Sequence, residues 1–274
     1  MVERNSHVSA FVAKTQQRYR PEQPDTFWEC EEALRSLLAS QFLPEVLNQH
    51  LARLAHEPDV VHDVLATELV LHRGGGFALS VSVFDSPHRY IHSLPFHAMY
   101  SPVGDCALSF NTYELPAGFR NQVFDPTLKL QPAGSETLKP GDILCMRSGN
   151  YAYDFLAERP TPVVKFVTTA MYPLEWLFTR TGLQAWQAND ADLSFTQLRV
   201  AADVIGKFAH QSSLEPLKRL THHYHHAVRW AAIQNLARLS RSEAIARLKN
   251  AAVDDPHPHI QRAAKKSLAK LQAS

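Results

Sequence analysis

The chain has 274 residues, 45% of them apolar and 20% charged, with a formal net charge of +1; this fits a globular protein with a packed core and excludes a disordered or fibrous chain. Its three cysteines, Cys30, Cys106 and Cys145, are odd in number and contain no CxxC, which excludes a disulfide framework and points to a reducing, cytoplasmic setting. No apolar run is long enough to span a bilayer, and the first residues lack the apolar core of an export leader.

The small net charge hides an asymmetry. Residues 1–185 hold 15 Lys/Arg against 20 Asp/Glu, whereas residues 186–274 hold 13 against 7. The basic last third is a solvated helical face or a surface for an acidic partner, a protein or a nucleic acid.

Residues 1–24 are polar and Pro-containing and read as an arm. Residues 25–65 read as lead-in helices. Asp25 serves as a cap, with Glu29, Glu31 and Glu32 in the first turns where the helix dipole favours them. Phe27, Ala33, Leu34, Leu37 and Leu38 recur at helical spacing, and Pro44 starts a second helix through Val46, Leu47, Leu51 and Leu54.

From residue 66 to 172 the period changes to two. In "ELVLHRGGGFALSVSVFD", Phe77, Leu79, Val81 and Val83 alternate with Ala78, Ser80 and Ser82, after a turn at Gly74–Gly76. Further strands are expected in "CALSFNTYEL", "TLKL", "DILCMRS", "YAYDFLA" and "PVVKFVTTAMY", separated by turn clusters that include "QPAGS" and "KPGD". Short strands at this spacing make an antiparallel barrel or sandwich. The apolar segment 168–186, "TTAMYPLEWLFTRTGLQAW", reads as a linker that packs the barrel onto the C-terminal third of the chain.

Residues 173–274 complete the chain as linker and repeats. "HHYHHAVRWAAIQNLARL" (222–239) aligns with "DDPHPHIQRAAKKSLAKL" (254–271) at an offset of 32, and "DLSFTQLRVAADVIGKF" supplies an earlier partial copy. Val228 matches Ile260, Ala231 and Ala232 match Ala263 and Ala264, and Leu236 and Leu239 match Leu268 and Leu271. The period and the paired small residues resemble HEAT repeats. His222, His223, His225 and His226 fall in the inter-helix turn together with His257 and His259. They are expected to form a solvated, histidine-rich ridge whose charge rises below about pH 6.5.

The middle region resembles a cupin. The segment "GSETLKPGDILCMRSGNYAYDF" (134–155) is similar to the second cupin motif; the motif's metal-binding histidine would fall near Ala152, where this chain has none. The segment nearest the first motif is "PHRYIHSLPFHAMY" (87–100), with His88, His92 and His97. The fold class is therefore α+β: N-terminal helices, a cupin-like antiparallel β-barrel or jelly roll, and C-terminal HEAT-like helices.

A metal centre needs two or three imidazoles converging on one face. His88 and His92 share a strand face by parity. His97 lies at an odd spacing from His92, and a bulge at Pro95 would have to bring it back. The resemblance implies a divalent metal, with iron first, on His92, His97 and His88, or with His72 in place of His88. Tyr100 and Arg147 are candidate catalytic groups, and Arg73, Tyr113, Tyr151 and Tyr153 candidate pocket residues. There is no GxxxxGK[ST], GxSxG or HExxH, and no basic–aromatic groove for nucleic acid.

Two functions are expected. One is a cupin-type, metal-dependent oxygenase acting on a small molecule. The other is a metal-free, cupin-like ligand-binding or adaptor protein whose repeats hold a protein partner. Cupins also pair into homodimers through barrel edges.

Overall fold

The structure is a computed structural model that describes residues 5–56, 64–65, 68–85, 88–208 and 210–272. Residues 1–4 of the expected arm, 57–63 of the expected lead-in and 66–67 at the start of the expected barrel lie outside the described residues. The rest of the arm is not an arm: Ser6–Arg18 form helix α1. The Asn5 side chain accepts from the His7 and Val8 N–H groups at 3.0 and 3.1 Å and starts the helix. Val8, Phe11 and Thr15 form its buried face. A 3-10 turn at Pro24–Cys30 then leads into α2 (Glu31–Leu38) and α3 (Phe42–His56). Glu31 and Glu32 sit in the first turn of α2, and Ala33, Leu34 and Leu37 are its buried stripe.

Twelve strands come next among the described residues: β1 (Val64–Leu65), β2 (Glu68–Gly74), β3 (Phe77–Phe84), β4 (Tyr90–Ser93), β5 (Ala98–Pro102), β6 (Leu108–Glu114), β7 (Gln131–Leu138), β8 (Leu144–Met146), β9 (Tyr151–Leu156), β10 (Thr161–Thr168), β11 (Leu174–Thr179) and β12 (Ala185–Asp190). They form two six-stranded sheets, ordered β1-β2-β3-β10-β5-β8 and β12-β11-β4-β9-β6-β7. Three expectations are corrected. "QPAGS" is part of β7, not a turn. "TLKL" is not a strand and contributes a single bridge, Lys129 to Gln184. The segment expected as a linker from 173 onward supplies β11 and β12, so the second sheet extends beyond residue 172.

Alternation along β10 sorts the first sheet into two faces. Val164 and Phe166 join Phe11, Phe27, Leu34, Phe77 and Met99 in a core between that sheet and the N-terminal helices. Phe166 packs on Phe27 with ring centroids 4.5 Å apart and on Phe11 at 5.1 Å. Each such fully buried ring contributes about 1.5–3 kcal/mol. Val163 and Val167 point the other way and join Ala98, Tyr100, Leu108, Met146, Tyr153 and Phe155 in the interior shared by the two sheets.

Beyond the sheets the chain is helical: α4 (Leu193–Phe208), α5 (Leu214–Leu220), α6 (His226–Leu239), α7 (Arg241–Asp254) and α8 (Pro258–Gln272). Helices α6 and α8 begin 32 residues apart, as the sequence repeat requires. Ala232, Leu236, Ala244, Leu217 and Ala202 form one small core, and Ile233, Leu248, Ile260 and Ala264 the next. The chain divides into two compact units: 1–119, 126–171 and 176–187 form the first, and 120–125, 172–175 and 188–274 the second.

Candidate ligand site

The interior of the two-sheet unit has an aromatic wall and a polar end. Phe84, Tyr100 and Phe155 pack on one another, with centroids 5.2 to 6.3 Å apart, and Tyr153 stacks on Phe155 at 6.4 Å. Lys165 takes the interior parity of β10, between Val163 and Val167, and lies opposite Tyr100 on one side and Ser80 on the other. Its ammonium group is 3.1 Å from the Glu68 carboxylate, 3.4 Å from Ser82 Oγ and 5.9 Å from the centre of the Tyr100 ring. Ser80 donates a second hydrogen bond to Glu68. Burial alone would raise the Glu68 carboxyl, but the Ser80 hydroxyl and Lys165 outweigh it and hold the group below its usual range. A partly buried ion pair is sustained where further hydrogen bonds support it, and Ser80 and Ser82 supply them here.

The histidines of the opening barrel segment separate. His92 lies opposite Tyr153 in the ladder and so shares its interior face. The His88 ring packs on His92 at 5.5 Å and on Phe84 at 6.2 Å. Lost hydration, and then repulsion from His92, depress the His88 imidazole, and Asp154 opposes them. His97 does not join this pair. The turn after β4 carries the chain from one sheet to the other. On β5, Ala98 and Tyr100 take the interior, which leaves the buried His97 on the side of the N-terminal helices. There its ring meets Trp28 at 4.9 Å, and its Nδ1 accepts from the Ser148 N–H at 3.1 Å. Burial lowers its imidazole as well. His72 is equally remote from His92 in its contacts: it packs on Phe77 at 4.8 Å.

Among the described residues, no group of three or more His, Cys, Asp or Glu side chains can hold a metal ion. His88 and His92 alone do not fit the three-ligand centre that the resemblance to cupins implies. Asp154 follows Tyr153 and so points away from the interior. It bonds Arg180 through Oδ2 at 2.8 Å, while Oδ1 is buried with no hydrogen-bond partner among the described residues. Burial raises its carboxyl despite Arg180.

Two of the expected pocket residues and one expected catalytic group come together. Arg147, Tyr151 and Tyr153 line a cavity of about 330 Å³ with Trp28, Glu31, Cys145 and Asn150. The Arg147 guanidinium sits 4.8 Å over the Trp28 ring and bonds Asp25 at 2.8 Å. Burial pushes Tyr153 up to about 12; lost hydration and the neighbouring Glu31 carboxylate push the Cys145 thiol, whose residue is exposed, up to about 11. Tyr153 belongs to both the cavity and the interior wall. Tyr100 is in the interior. Tyr113 pairs with Ala152 and therefore takes the face opposite Tyr153, and Arg73 is exposed near the end of β2. Sequence reading missed Trp28, Glu31, Glu68 and Lys165. Lys165 was recoverable, because it is the charged residue at interior parity within "PVVKFVTT".

No helix among the described residues is long and apolar enough to cross a membrane. No curated protein matches the sequence. Solved structures similar to the chain include a hydroquinone 1,2-dioxygenase in complex with Cd2+ and 4-hydroxybenzonitrile, at 16% identity and TM-score 0.30 over 37% of this chain and 63% of that one. The match thus spans under two thirds of that chain. Another is hydroquinone 1,2-dioxygenase from Sphingomonas sp. TTNP3 with 4-hydroxybenzoate bound, at 12% identity and TM-score 0.33 over 40% and 69%. A third is a cupin superfamily protein from Desulfitobacterium hafniense, at 10% identity and TM-score 0.26 over 37% and 74%. Residues 189–269 match the family described as HEAT repeats, so the C-terminal helices carry that repeat.

Proposed function

We propose that this protein is a metal-free, cupin-like binding scaffold: the two-sheet unit takes up a small molecule, and the HEAT-repeat helices hold a protein partner. The observation that carries this reading is the cavity of about 330 Å³ lined by Trp28, Tyr151, Tyr153 and Arg147. A few aromatic walls with one cation suit a small, partly apolar ligand with an anionic group. Arg147 would face that group, and Tyr153 would form the floor.

Two measurements on the same protein test this. Thermal unfolding with a panel of small aromatic carboxylates should show stabilisation, lost in Arg147→Met. A ligand at 100 times its Kd adds about 2.7 kcal/mol. Elemental analysis of untagged wild type beside His92→Ala should show no bound metal in either. About one equivalent of iron or another divalent metal in the wild type, absent from His92→Ala, would overturn the metal-free reading and favour the oxygenase. In that case iron on His88 and His92 would supply dioxygen chemistry to the same interior.

A further inference from the structure

Of the histidines in the repeat turns His222 is exposed as expected, but His225, His226, His257 and His259 form neither a solvated ridge nor a metal cluster. Phe195, in the first turn of α4, stacks on His225 with centroids 4.3 Å apart and planes 20° apart. His225 is followed by His226 at 5.1 Å and 22°, and His226 by His257 at 3.9 Å and 8°. His259 closes the row edge-on to His257 at 5.1 Å. His225 and His257 are buried. Face-to-face rings turn their nitrogens outward from the column, so they cannot converge on one ion.

The column also clips a remote stretch of chain. His257 Nε2 donates to the Gln122 carbonyl at 2.6 Å, and its Nδ1 accepts from the His259 N–H at 3.3 Å. Both nitrogens are thereby committed in the neutral ring. A proton on Nδ1 would face an N–H donor and break the second bond. Residues 120–125 leave the sheets after β6 and return before β7, and they belong to the helical unit.

We propose that this Phe195–His225–His226–His257–His259 column is a proton-operated latch: neutral, it binds successive repeat turns and the 120–125 segment together, and protonated, it comes apart. The charges around it give an imidazolium little help. From the end of β12, Asp190 Oδ1 lies 3.5 Å from His225 Nε2. However, Oδ2 of the same carboxylate is already held by Arg199 of α4 and by Thr196. Asp255 is bound along both edges by Arg229 of α6. Arg199 opposes a proton on His225, as does His223 of the α5–α6 turn. Arg229 opposes one on His226, and Arg262 of α8 opposes one on His257 and His259. Asp125 of the clipped segment favours a proton on His259, and the Gln122 carbonyl and Asp255 favour one on His257, but burial outweighs them at both rings. The Pro173 carbonyl is a further acceptor on the side of His225, whose ring nitrogens otherwise make no hydrogen bond among the described residues. Burial depresses all four imidazoles, and His226 falls to about 3.

The sign follows from linkage. A histidine whose folded value lies below its unfolded one, near 6.5, stabilises fully above about pH 6.5 and loses that stability as pH falls, by about tenfold per pH unit per ring until the folded value is reached. The test is hydrogen exchange on the full chain at pH 7.5 and 5.5, corrected for intrinsic exchange. Protection should fall at least tenfold in residues 120–125, 221–226 and 255–259, while β3 and β10 keep theirs. His226→Phe keeps a ring in the column without a basic nitrogen, and should recover about tenfold of the loss at pH 5.5. A loss undiminished in His226→Phe overturns the latch. So does an unchanged or uniformly changed wild type, which decides the matter even if the variant does not fold.

Discussion

The Arg229 guanidinium makes four hydrogen bonds: its Nε–Nη2 edge donates to Asp255 at 2.9 and 2.7 Å, and Nη1 donates to the carbonyls of His223 and Tyr224 at 2.9 and 2.8 Å. A single planar cation thus ties the turn before α6 to the turn before α8, which only arginine geometry allows. Arg229→Met should cost about 3–5 kcal/mol, because Asp255 is left as an uncompensated buried charge. Arg229→Met with Asp255→Leu should be milder than the single change, and urea unfolding followed in the helical unit distinguishes them. Its partner is not legible locally, because Asp255 lies in the following repeat. The same limit applies to the candidate ligand site. Arg147, Tyr151 and Tyr153 are close in sequence, within one strand–turn–strand stretch. Trp28 and Glu31 reach the cavity from the N-terminal helices, a distance in sequence that no local pattern spans.

At the scale of elements, the β2–β3 hairpin depends on its turn. Gly76 has φ +83°, and a Cβ there would lie 2.5 Å from Pro21 Cγ and 3.3 Å from the Tyr19 ring. Gly104 has the same φ with open space around it. Gly104→Ala should therefore cost only the left-handed backbone penalty of about 1–2 kcal/mol. Gly76→Ala should cost that and about 1–3 kcal/mol more for overpacking, read as a lower urea midpoint for the two-sheet unit. β3 was legible because its large apolar residues alternate with small ones, Phe77, Leu79 and Val81 with Ala78, Ser80 and Ser82. β7 was not, since its residues 131–137 are all exposed and its Pro and Gly mimic a turn. β11 and β12 were masked by apolar residues on both faces of "PLEWLF", which read equally as an interface. In the repeat turns the error was one of environment: a run of histidines reads as solvated, yet imidazoles stacked on one another and on Phe195 are largely withdrawn from water.

For the whole molecule, charge is the property that composition alone conveyed best. The acidic front and the basic last third survive in the structure as separate compact units, and α8 carries exposed Arg262, Lys265 and Lys266. A partner drawn to that surface must be held mainly by screened charge. Binding of polyglutamate, followed by fluorescence anisotropy, should weaken steeply between about 50 and 300 mM salt and be reduced by Lys265→Glu with Lys266→Glu. Insensitivity to both would place the partner surface elsewhere.

The outermost strand of the second sheet has a further consequence. β7 sits at the sheet margin with its side chains in water. Pro132 has no N–H to donate, Glu136 adds charge, and the side chains of Ser135 and Thr137 are already bonded to Asn111 and Ser109 of β6. Such a border offers a stray extended chain few groups to pair with. Pro132, which helped to hide this strand from sequence reading, is thus also a residue that discourages the sheet from growing, strand upon strand, into a fibril.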